Sequence, residues 1–156
     1  MTDAATSQTE LTATVTIDAP PARVWSLLSD LTRMREWSPQ VVRTAVVPRP
    51  VRLGSRMFNL NQQGKKRWPT TGKVVRFSPN RDIAFRITEN RAIWSFQLEE
   101  VDGGTRVTHR RETPQGTSAL SRTLVKIALG GQKPFLAELQ RGMQQTLERV
   151  KVAAES

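Results

Sequence analysis

His109 is the only histidine in this 156-residue chain, and Arg111 follows it by two positions in the alternating run Val107-Thr-His-Arg-Arg111. Imidazole is the side chain whose ordinary pKa lies nearest neutrality. His109 therefore reads as a general base or as a polar anchor for a ligand oxygen. Residues i and i+2 of a strand share a face, so Arg111 reads as a clamp for a carboxylate or an enolate beside it. Two plainer readings stand next to these. A lone inward histidine is also a hydrogen-bonded wall residue, and an arginine opposite Trp94 is also a cation stacked on indole at a rim. Glu112 has the opposite parity and is a poor partner for His109.

Other catalytic arrangements are missing from the sequence. There is no cysteine, which removes disulfides, thiolate nucleophiles and thiolate metal ligands, and there is no tyrosine to act as an acid. One histidine without cysteine argues against zinc, so neither a metal nor a cofactor is expected. GxSxG and GxGxxG do not occur, and neither Gly64-Lys65 nor Gly72-Lys73 has P-loop spacing. Glu99 and Glu100 are neighbours in a strand and point to opposite faces, so they cannot work as a pair.

The strands that must carry His109 and Arg111 constrain one another. Alternation and turn residues place strands at about 12–18, 41–47, 55–62, 66–77, 82–88, 92–101 and 105–112. Two-residue turns at Asn90-Arg91 and Asp102-Gly103 would pair Ile83 with Leu98, Phe85 with Phe96 and Ile87 with Trp94. They would also pair Leu98 with Val107, Phe96 with His109 and Trp94 with Arg111. All of these side chains fall on one face, while Glu99–Arg106 and Gln97–Thr108 fall on the other. A single concave face is the expectation.

Helices flank these strands. Pro20 and Pro21 suit a helix start with Asp18 as a cap, and Val24, Trp25, Leu27, Leu28 and Leu31 make its apolar face. Asp30 can cap a second short helix, Leu31 to Trp37, that Pro39 ends. Thr117 or Ser118 can cap a C-terminal helix whose stripe begins at Leu120, Leu124 and Ile127. Gly130-Gly131 and Pro134 interrupt or kink it. The stripe resumes at Phe135, Leu136, Leu139, Met143, Leu147 and Val150, which lets this helix lie across the sheet. Met34, Trp37, Met57, Phe58, Trp68 and Phe135 are large side chains from separate elements that line a flat cavity or simply fill a core.

Composition sets the frame. With 37% hydrophobic and 24% charged residues the chain reads as one globular domain, over about 12–152, with tails at 1–11 and 153–156. No apolar run is long enough to span a membrane, and Met1–Glu10 has neither the basic start nor the apolar core of a secretory signal. A cytoplasmic location is the expectation, with a monomer and a homodimer both left open. The net charge of +10 runs from Arg23 to Lys151, densest at Lys65-Lys66-Arg67 on a hairpin tip and at His109-Arg110-Arg111. It reads as a solvated arginine-rich surface, with peripheral contact to an anionic membrane, or less readily nucleic acid, as alternatives.

Several segments together carry a resemblance. They are Ile17-Asp-Ala-Pro-Pro-Ala-Arg-Val-Trp25, Leu31…Trp37-Ser-Pro39, Trp94-Ser-Phe96 ahead of Gly103-Gly-Thr-Arg-Val107, and the C-terminal helix. Over residues 12–152 the chain resembles the START-like (SRPBCC) superfamily, and within it the polyketide cyclase/dehydrase and lipid-transport family. The resemblance implies an α+β helix-grip: a seven-stranded antiparallel sheet curled round a long helix, with two short helices after strand 1 and an internal cavity. The matching residues are mostly structural in that family and bring no catalytic assignment with them.

The expected function is binding, transport or sensing of a small hydrophobic or aromatic ligand such as a lipid or a polyketide-like molecule. Met34, Trp37, Met57, Phe58, Trp68, Phe85, Trp94, Phe96 and Phe135 would form its walls, and His109 and Arg111 would orient its polar end. One alternative is a cofactor-independent cyclase or dehydratase in which His109 moves a proton and Arg111 stabilises an enolate. The other is a basic surface protein for nucleic acid or anionic lipid.

Overall fold

Alternating inward apolar residues build seven strands, and five connections with residues of positive backbone φ help fold them back on one another. The computed structural model describes residues 10–114 and 132–156. The strands are β1 (Leu11–Ile17), β2 (Val41–Val47), β3 (Arg56–Gln63), β4 (Lys66–Ser78), β5 (Asp82–Ile87), β6 (Ile93–Val101) and β7 (Gly104–Glu112). They form one antiparallel sheet in the order β1-β7-β6-β5-β4-β3-β2, the curved sheet of a helix-grip.

Helix α1 (Pro21–Leu28) and α2 (Met34–Trp37) lie between β1 and β2, and α3 (Gln132–Glu155) closes the fold. Val24, Trp25, Leu27 and Leu28 form the buried face of α1, and Trp25 meets Phe77 edge-on at 5.3 Å. The cap differs from expectation. Pro20 occupies the N-cap position without a side-chain bond, and its carbonyl accepts from the N–H groups of Arg23 and Val24. Asp18 instead donates its backbone N–H to Glu155 Oε2 at 2.7 Å. Asp30 does cap the next segment, accepting from Thr32 N, although that segment is a 3-10 turn (Leu31–Arg33) running into α2.

The hairpin β6–β7 has the expected register, with Trp94 opposite Arg111, Phe96 opposite His109 and Leu98 opposite Val107. Its turn residues Asp102 and Gly103 have φ of 50° and 83°, the backbone that two-residue turns of this hand require. The hairpin β5–β6 differs. Phe85 faces Trp94 and Ile83 faces Phe96, a slip of two residues from the expected pairing. The cause is a longer loop. Ile87 N–H donates to Ala92 O, Arg91 N–H donates to Ile87 O, and Asn90 Oδ1 takes the N–H of Ala92. A slip of two preserves parity, so each side chain keeps its face.

On α3 the buried residues Phe135, Leu139, Met143, Leu147, Val150 and Ala154 recur at three or four positions and pack on the concave sheet face and the two short helices. The helix runs to Glu155, past the expected domain end at 152, and Ala154 is buried. Pro134 lies within the helix, which is described from Gln132 onward. The expected caps Thr117 and Ser118, the start of the stripe at Leu120, Leu124 and Ile127, and Gly130-Gly131 lie outside the described residues. Among the described residues no helix is long and apolar enough to cross a membrane.

Gly104 begins β7 where β1 ends. A Cβ there would sit 2.6 Å from the backbone oxygen of Ile17, so β1 and β7 could not keep their spacing. The neighbouring Thr105 hydroxyl donates to Ala19 O at 2.7 Å and holds the same junction. Gly104→Ala is expected to cost about 1–3 kcal/mol in urea unfolding. An unchanged midpoint would show that the junction has slack.

Candidate functional site

The concave face of the sheet and the helices α2 and α3 enclose a cavity. It contains about 850 Å³ of empty space including its mouth, and about 110 Å³ of that is open to the centres of water molecules. The smaller figure is several times the roughly 10–15 Å³ that one water centre occupies. That smaller figure is below the roughly 300–1,000 Å³ of typical small-molecule sites, and the rest of the empty space includes open solvent at the mouth. Trp68, Phe85 and Trp94 contribute aromatic walls from the sheet. Met34 and Met57 add flexible apolar surface, and Phe135, Leu139 and Met143 of α3 close the far side.

His109 and Arg111 both reach this cavity from β7. The His109 ring lies flat on Phe96, with centroids 4.0 Å apart and planes 5° apart, and is also 5.7 Å from Trp94. Its Nδ1 is 2.9 Å from the carbonyl oxygen of Ser95. A carbonyl only accepts, so Nδ1 carries the proton and Nε2 keeps its lone pair. Burial pushes the His109 pKa down to about 4, with the Ser95 bond opposing part of that shift. At neutral pH His109 is an uncharged acceptor.

Arg111 is only 3% exposed, and its guanidinium carbon lies 5.7 Å from the centre of the Trp94 ring. Its Nε is buried without a hydrogen-bond partner among the described residues. Burial pushes its pKa down to about 10, with no carboxylate among the causes to offset it. The group stays charged at pH 7, at a cost of roughly 3 kcal/mol to the folded state. Arg111 is therefore not the rim residue of the plainer sequence reading.

Strands β2, β3 and β4 add a polar part of the lining that the sequence reading missed. Thr44 Oγ1 donates to Asn59 Oδ1 at 3.0 Å, and Asn61 Nδ2 donates to Thr70 Oγ1 at 2.9 Å and to Trp68 O at 3.2 Å. All four polar side chains line the cavity, together with Gln40, whose Nε2 is buried and unpartnered among the described residues. The signal was present in β3. Met57, Asn59 and Asn61 share one parity, but two asparagines on a strand look like a solvated face.

Three expected wall residues lie elsewhere. Phe58 is 50% exposed, because adjacent Met57 takes the inward side of the pleat and only one of the two can. Phe96 is fully buried behind the His109 ring and supports the wall without reaching the cavity. Trp37 is buried in the core under Arg33, whose guanidinium carbon is 5.1 Å from its ring, and it does not line the cavity. Among the described residues no three His, Asp or Glu side chains converge as metal ligands would.

The fold has solved relatives. The di-domain aromatase/cyclase StfQ from the steffimycin biosynthetic pathway superposes with a TM-score of 0.76 at 13% identity, over 95% of this chain and 51% of StfQ. The chain thus spans about half the length of that protein. The Zhui aromatase/cyclase from a Streptomyces species gives a TM-score of 0.75 at 18% identity, over 95% of this chain and 94% of its own. A third structure, the protein TTHA0849 from Thermus thermophilus, gives 0.69 at 22% identity, over 95% and 100%. At these identities the likeness establishes the fold. Among curated proteins none matches by sequence. The sequence profile described as polyketide cyclase / dehydrase and lipid transport matches residues 8–155, and the chain belongs to that family.

Proposed function

We propose that the chain binds a small, flat hydrophobic or aromatic molecule with an anionic end inside the cavity. The observation that carries this reading is the Arg111 guanidinium, buried and lacking a partner on Nε among the described residues, at an apolar wall. An uncompensated buried charge is costly, and a ligand carboxylate or enolate would regain part of that cost through a charge-assisted hydrogen bond. His109 Nε2 accepts from a ligand hydroxyl, and Trp68, Phe85, Trp94 and Phe135 contact its rings. The amide and hydroxyl wall of Asn59, Asn61 and Thr70 meets oxygens at the ligand's other edge.

A second reading uses the same residues for turnover without a cofactor. His109 would take a proton from a substrate carbon or hydroxyl, and Arg111 would stabilise the resulting enolate oxygen. The likeness to aromatase/cyclases favours it. The depressed pKa of His109 counts against it, since a base works best near the ambient pH. On an identified substrate, His109→Gln should reduce kcat by at least about 100-fold if this reading holds. Full activity in that variant removes His109 from catalysis.

The binding reading is tested by thermal shift with a panel of two- and three-ring aromatic acids against their methyl esters. Acids should stabilise the protein and esters should not. In Arg111→Met the selective stabilisation should vanish while the ligand-free variant melts no lower than wild type, because a buried unpaired charge has been removed. Equal stabilisation by acid and ester would overturn the anion assignment.

The state of His109 is tested separately by NMR titration of its ring. The folded pKa lies below the unfolded value near 6.5, so the unfolded chain binds the proton first as pH falls. Stability from this group is complete above pH 6.5 and is lost down to about pH 4, by roughly 3 kcal/mol. The midpoint in the folded protein should be near 4, and His109→Gln should flatten the stability profile between those limits. A midpoint near 6.5 would mean the ring is solvated.

A further inference from the structure

Basic residues run from Arg23 to Lys151, but the net positive charge is concentrated in one part of the chain. Residues 37–81 contain ten Lys and Arg and no Asp or Glu, so the whole net charge of +10 belongs to this segment. The segment comprises β2, β3, β4 and their connections.

Strand register arranges part of that charge around an apolar centre. Three cross-strand rows share the outer face: Arg43, Leu60 and Pro69; then Ala45, Phe58 and Thr71; then Val47, Arg56 and Lys73. Their parity is opposite to that of Thr44, Met57 and Asn59, which line the cavity, so this is the convex side. Phe58 is 50% exposed and Val47 60%. Leu53, 65% exposed, lies on the loop that joins the Val47 end of β2 to the Arg56 end of β3. Glu89 borders the patch and accepts the N–H and hydroxyl of Thr71. The outermost strand, β2, is an edge of the sheet.

We propose that this convex face of β2–β4 docks on an anionic membrane surface. Phe58, Val47 and Leu53 enter the headgroup layer while Arg43, Arg56 and Lys73 meet lipid phosphates. Exposed apolar side chains ringed by cations suit that boundary, which is apolar a few ångströms below a layer of negative charge. A second copy of the chain would set like charges against one another. A nucleic acid would need aromatic platforms between the cations. Trp68, the aromatic beside Lys66 and Arg67, lines the cavity, and Phe58 is the one aromatic ring in the three rows, so successive bases would find no second platform there.

The test is co-sedimentation of the intact chain with vesicles of phosphatidylcholine and phosphatidylglycerol, against pure phosphatidylcholine vesicles. Binding is expected to the anionic vesicles only and to fall steeply with salt. The triple variant Arg43→Gln, Arg56→Gln, Lys73→Gln should weaken it about 5-fold for each charge removed. Phe58→Ser should weaken it without lowering the thermal midpoint, and Arg141→Gln on α3 should leave it unchanged. Absence of binding at low salt, or wild-type binding by the triple variant, overturns the proposal. So does binding that Phe58→Ser leaves intact, which would mark the face as a plain polyanion site such as an acidic protein or nucleic acid would use.

Discussion

The two-residue turn at Asp102–Gly103 fixes the register of β6 against β7, and the site depends on that register. Positive φ at both turn residues leaves one way to fold the hairpin. From it follow the pairings of Trp94 with Arg111 and of Phe96 with His109. A slip of β7 by one residue would turn His109 and Arg111 to the convex face and bring Thr108 and Arg110 into the cavity. The β5–β6 hairpin slips by two against the simplest expectation and does no such damage, because parity survives an even shift.

Inside that register two basic side chains are buried and take opposite courses. His109 gives up its charge, since imidazole is only weakly basic and the cavity wall around it is apolar. Arg111 cannot, since its pKa starts so high that even strong desolvation leaves it well above neutrality. The cavity thus presents one fixed cation, one neutral acceptor and, from β2–β4, an uncharged ladder of amides and hydroxyls. A purely hydrocarbon ligand would leave the Arg111 guanidinium unmatched. A flat molecule with oxygens at both edges would not.

Much of this was legible in the sequence because the strands are strongly periodic and the turns have distinctive residues. The element order, the β6–β7 pairing and the inward parity of His109, Arg111 and Trp94 all follow from alternation. What failed to show was of two kinds. Met57 and Phe58 are adjacent apolar residues on an otherwise polar strand, and composition cannot say which one faces in. Asn59, Asn61 and Thr70 are polar at inward positions, which runs against the usual pattern, and only the tertiary fold reveals that they line a cavity. The Pro20 cap illustrates the same limit at short range. Asp18 has the right chemistry to cap α1, yet the N-cap position falls to Pro20, two residues nearer the helix.

The same three strands serve both sides of the molecule, with polar cavity lining on the inner pleat and cations round an apolar centre on the outer. The central claim, however, rests on Arg111 Nε, which has no partner among the described residues. Its most direct test is a crystal structure of the protein with the ligand it retains through purification. The account predicts a flat ligand with an oxygen within hydrogen-bond distance of Arg111 Nε. An uncharged chain filling the cavity, with Nε still unpartnered, would contradict it.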